Sequence, residues 1–144
     1  LEARYEIRNE IFVKKVQIEA RVIGDLAINH IIPTAIAYQN TLISNVKGLK
    51  ELFPNEWEKL ADHQHALILE ISEHIHAISH QVNEMIERRK EANQVEDIVE
   101  KAHLYGKNVK PYIESIRTHI DKLEMIVDDE MWPLPKYREM LFIR

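Results

Sequence analysis

Apolar residues recur along this chain at three- and four-residue steps, the spacing that keeps them on one face of an α-helix. Ile68, Ile71, Ile75, Ile78, Val82 and Met85 form the cleanest run and predict a helix from just past Pro54 to about residue 91. Val95, Ile98, Ala102, Tyr105, Val109 and Tyr112, continued by Ile116, Ile120, Leu123 and Val127, predict a second long segment. A third, over about 34–52, rests on Ala35, Leu42, Val46, Leu49 and Phe53. No strand is expected anywhere.

The first segment, about 2–31, has two stripes. One is Tyr5, Phe12, Val16, Ile23 and Ala27; the other is Ile7, Ile11, Ile18 and Val22. A helix apolar on two faces is buried on two sides or touches something outside these residues. Ile7, Ile11, Ile18 and Val22 are therefore candidate interface residues.

Punctuation is sparse, with three glycines and five prolines. Pro33 falls between the first two segments, and Gly106 and Pro111 interrupt the last. A proline removes a backbone donor and clashes one turn back, so each site either kinks a continuous helix or breaks it. Asn93, with Glu96 three residues on, reads as the N-cap and capping-box partner that open the last segment. Past Asp128-Asp129-Glu130 the periodicity stops. The prolines of Trp132-Pro133-Leu134-Pro135 bias their predecessors away from helix. Residues 131–144 thus read as an extended C-terminal strap, held by Trp132, Leu134 and Tyr137, with a short helical turn from Lys136. The fold class that follows is all-α: an antiparallel bundle of about four long helices, kinked near Pro33 and Pro111, with a short C-terminal tail. Residues 1–144 read as one helical domain.

Composition narrows the function. At 144 residues the chain can enclose a real core, and 45% hydrophobic with 30% charged residues is not a disordered composition. A formal charge of −5 offers no basic stripe for phosphates, so no nucleic-acid partner is expected. No apolar run approaches the roughly 18 residues of a membrane span, so no membrane partner is expected either. The absence of cysteine excludes disulfides and thiol chemistry, and fits a cytoplasmic protein. Leu1 begins in mid-pattern, which suggests a piece of a longer chain.

The candidate chemistry is histidine-rich. In "ILEISEHIHAISH" (68–80), Glu73 and His76 have the E-x-x-H spacing of di-metal bundles, and Glu100 with His103 repeats it. Ligands in a bundle core must point inward. At about 100° per residue, Glu73, His76 and His80 centre roughly 160° from the isoleucine stripe. Glu100 and His103 fail the same test. Glu73, His76 and His80 remain as weak, adventitious surface ligands for zinc or nickel, and no catalytic or cofactor-binding residue is assigned. His119 falls near the packed stripe and is expected at the core edge with a hydrogen-bond partner. His30 and Asn29 are placed to serve backbone groups freed near Pro33.

Two strings go further. "GDLAINHIIPTAIAYQN" (24–40) and "HIDKLEMIVDDEMWPLPKYREMLF" (119–142) resemble the C-terminal region of type III glutamine synthetases, as do "LEARYEI" at the start and "VKGLKE" at 46–51. The resemblance implies a parent enzyme that joins ammonia to glutamate with ATP and divalent Mg or Mn. It also implies that the binding residues for these lie in an upstream β-rich catalytic domain, and that the parent forms a double-ringed oligomer. The partners it implies for this chain are that catalytic domain and neighbouring subunits, with no cofactor held here and no activity in the 144 residues alone. Two alternatives stand beside it: a free-standing helical interaction or scaffold protein and, against the outward angle of its candidate ligands, a metal-binding bundle of ferritin-like type.

Overall fold

The computed structural model describes residues 2–134. Its elements are α1 (Glu2–Leu26), a π turn π1 (Ala27–Ile31), α2 (Ile32–Leu52), α3 (Trp57–Leu60), α4 (Asp62–Asn93), α5 (Ile98–Leu104), a second π turn π2 (Tyr105–Val109) and α6 (Lys110–Ile126). Four of these helices are long: α1, α2, α4 and α6. No strand occurs among the described residues.

Both prolines kink rather than break. Without an N–H, and with a ring that would strike the carbonyl four residues back, proline does not fit a regular α-turn. The turn before each one widens instead. The Ile32 N–H reaches the Ala27 carbonyl ahead of Pro33, and the Lys110 N–H reaches the Tyr105 carbonyl ahead of Pro111. Wider π turns of this kind absorb the misfit and let the helix continue. The chain therefore forms three rods: α1–π1–α2, then α4, then α5–π2–α6. The residues at both ends of each π turn, Ala27 with Ile31 and Tyr105 with Val109, have no solvent exposure.

Side-chain bonds fix the antiparallel order. Gln17 meets Asn93, Gln39 donates to the Ile68 carbonyl and to Ser72, and Gln64 donates to Asn45. Low residue numbers on the first rod thus face high numbers on α4. The α4–α6 seam is the most extensive in the molecule. One contiguous core joins all three rods, from Val16 and Ile23 through Ile78 and Met85 to Ile113, Ile116 and Leu123.

Two local expectations change. Asn93 is not the N-cap of the last rod; α4 runs through it, and Asp97 caps α5 by accepting the Glu100 N–H at 3.1 Å. Asn93 is drawn instead into a contact between rods. The strap begins as a tight turn: Asp128 accepts the Glu130 N–H on its carboxylate and the Met131 and Trp132 N–H groups on its carbonyl. That turn tucks Trp132 into the core. Tyr137 and the helical turn expected from Lys136 lie outside the described residues.

Candidate functional site

The two stripes of α1 separate cleanly. Val13, Val16, Ala20 and Ile23 enter the core, with Phe12 packed beside them, while Tyr5 stays outside. Ile7, Ile11, Ile18 and Val22 keep between 54% and 63% of their surface exposed. A shallow groove of about 370 Å³ adjoins the lower part of this stripe, where Ile18, Val22 and Leu26 meet Ile120 of α6 and Leu134. Four large aliphatic side chains in one row form an exposed apolar stripe rather than singly scattered apolar residues. Burying the exposed half of each would contribute about 1 kcal/mol per residue.

The inner side of the same helix is tied by a polar bridge. Gln17 Nε2 donates to Asn93 Oδ1 at 3.2 Å and to the Tyr105 hydroxyl at 3.0 Å, and that hydroxyl donates to Asn93 Oδ1. Tyr105 has no exposed surface, so its hydroxyl needs these partners. Three residues from three rods thereby set how deep α1 sits.

The histidines divide by face. Glu73, His76 and His80 are exposed, with the His76 and His80 rings stacked 6.4 Å apart. Glu100, His103 and His30 are also exposed, and Asn29 donates to the Asp25 carboxylate at 2.6 Å rather than to backbone freed by Pro33. Among the described residues no group of three histidine or acidic side chains is placed to hold a metal ion, so no step of chemistry is derived through one. "ERRK" (87–90) is balanced locally: Arg88 lies 3.3 Å from Glu91 and 3.7 Å from Glu84, and Lys90 lies 3.4 Å from Glu87.

His74 is the residue that sequence reasoning missed. It is 8% exposed, the buried polar residue of α4, and its Nδ1 lies 2.9 Å from Nδ1 of His119 on α6. Its Nε2 faces the Glu70 carboxylate at 3.5 Å. Burial first, then His74, then Lys122 hold the His119 imidazole below its ordinary value. The signal was present: Ile71, His74, Ile78, Val82 and Met85 step by three and four as regularly as the run through Ile75. In the structure Ile68 and Ile75 are only half-buried, and the inward line passes through His74. The expected partner of His119 is thus another histidine.

No helix among the described residues is long and apolar enough to cross a membrane. Residues 1–50, which comprise α1, π1 and most of α2, match the family described as "Glutamine synthetase C-terminal domain". The whole chain is 52% identical to a glutamine synthetase of Bacteroides fragilis (strain YCH46) and 29% identical to a type-3 glutamine synthetase of Dictyostelium discoideum. Over 97% of its length it is 21% identical to a glutamine synthetase of Butyrivibrio fibrisolvens. The chain spans 20% of the length of each of these relatives. The chain is thus similar from end to end to part of these glutamine synthetases, and its first rod matches the family model of their C-terminal domain.

Proposed function

We propose that these residues are a non-catalytic helical domain of a glutamine synthetase and that they serve packing or assembly. The parent reaction is ATP-dependent ligation of ammonia to glutamate in the cytoplasm. ATP and Mg or Mn are held by an upstream catalytic domain, and that domain and neighbouring subunits are the partners of this one. The observation that carries the reading is the outward row Ile7, Ile11, Ile18 and Val22, which lies within the family-matching residues. A free bundle gains nothing from four exposed aliphatics in line, whereas an assembling domain can bury them.

The test is the double substitution Ile11→Ser with Ile18→Ser in the full-length protein, followed by sedimentation velocity. Dissociation to smaller species is expected, with the melting temperature of the 144-residue chain nearly unchanged. A chain that unfolds instead would place those side chains in its own core and end this reading. The reading frame upstream of Leu1 separates it from a free-standing scaffold protein, because only a ligase part requires catalytic-domain codons there. The purified 144 residues are expected to form no glutamine from glutamate, ammonia and ATP.

A further inference from the structure

We propose that His74 and His119 form a proton-sensitive clasp on the α4–α6 seam, strongest while both rings are neutral, weakened by a first added proton and opened by a second. The contact is well placed for this. It lies in the most extensive seam of the bundle, with His74 almost fully enclosed and the two Nδ1 atoms 2.9 Å apart.

Proton bookkeeping follows from the partners. The Glu70 carboxylate faces His74 Nε2 and favours the tautomer with a hydrogen there, so His74 Nδ1 is a bare acceptor. His119 Nδ1–H then donates to it, and both rings are neutral. A first added proton goes to His119 Nε2; the Nδ1–H···Nδ1 bond survives, and the pair carries one positive charge. A second has only His74 Nδ1 left to occupy. Two N–H groups would then point at each other across 2.9 Å with no acceptor between them, and two like charges would stand side by side.

Polar and charged groups close to the pair come from α4, α6 and α2. Glu70 on α4 draws positive charge to the pair, while Lys122 on α6 opposes it. From α2 the side chain reaching this stretch of α4 is Gln39, which is uncharged and donates to Ser72 and the Ile68 carbonyl. His119 is therefore held below its ordinary value, with burial as the largest cause. The unfolded chain, with histidines near the ordinary value of about 6.5, takes up protons first as pH falls. The stability contributed by the neutral pair is thus fully present above about pH 6.5 and is lost on acidification toward the depressed folded value.

The experiment is a set of thermal melts of the 144-residue chain between pH 7.5 and 5.0, compared with His119→Asn. Its side-chain amide can still donate to His74 but does not titrate. The unsubstituted chain is expected to lose about 3–6 °C more than the variant over this range. Equal losses would overturn the clasp. Should the variant not fold, imidazole nitrogen resonances of the unsubstituted chain decide. His119 titrating below the ordinary histidine value supports the proposal, and His119 titrating at or above it defeats it. Zinc added at one equivalent that raises the melting temperature at pH 7.5, reversibly with EDTA and only with both histidines present, would also overturn it by making the pair a metal seat.

Discussion

Val13, Val16, Ala20, Ile23 and Ala27 line one side of the first rod and are each 6% exposed or less, whereas Ile7, Ile11, Ile18 and Val22 on the other side stay more than half in solvent. The outward residues are fewer but bulkier on average. Two alanines stand on the inner side, where α1 closes on its neighbours, and none stands in the outer row. Gly24 shows how near the neighbours are: a methyl group there would lie 3.7 Å from Met85 Cε and 3.8 Å from Val82 Cγ1. Close helix approach selects small side chains at the tightest points, while the side this bundle does not cover carries four large aliphatics. Apolarity marks a face for burial, but it does not say by what.

Four substitutions probe that contrast, in falling order of effect. Ile31→Ala empties a fully buried position at the end of π1 and should cost about 2–5 kcal/mol in chemical denaturation. A loss below 1 kcal/mol would mean that the first rod is not packed as described. Tyr105→Phe removes the hydroxyl that joins Gln17 and Asn93, and should cost about 1 kcal/mol in the same assay. Only part of that cost should disappear once Gln17 is already alanine, because the hydroxyl still donates to Asn93, and a double-mutant cycle would read the share that belongs to Gln17. Gly24→Ala adds its methyl at ordinary contact distance in mid-helix and should stabilise by about 0.5–1 kcal/mol. Destabilisation would place α1 closer to α4 than it is here. Smallest is Ile11→Ser, expected within about 0.5 kcal/mol in the isolated chain because the side chain is already in water. Only in the full-length protein should it matter.

The histidines give the same lesson on α4. The period placed Glu73, His76 and His80 outside, because three residues at one angular position travel together whatever the helix packs on. It did not place His74. A run through Ile75 and a run through His74 are equally regular, and isoleucine looks like the better core residue. In the structure α4 is turned so that His74 enters, where it meets His119 of α6 at the same level. Asn93 was misread for a related reason. A cap residue is recognised from local order, but its side chain was claimed by Tyr105, twelve positions away.

The chain alone determined four long helices, interruptions at Pro33 and Pro111, the double-sided first segment and its resemblance to glutamine synthetases. Each of these depends on periodicity, on proline stereochemistry or on long distinctive strings, all of which are local in sequence. Tertiary structure decided which stripe of α1 is core, that widened π turns carry the helices past their prolines, and that His74 meets His119. These depend on the rotation of one rod against another, which many residues far apart in the chain set together through packing. A helix knows its own faces from its sequence, but only its neighbours choose among them.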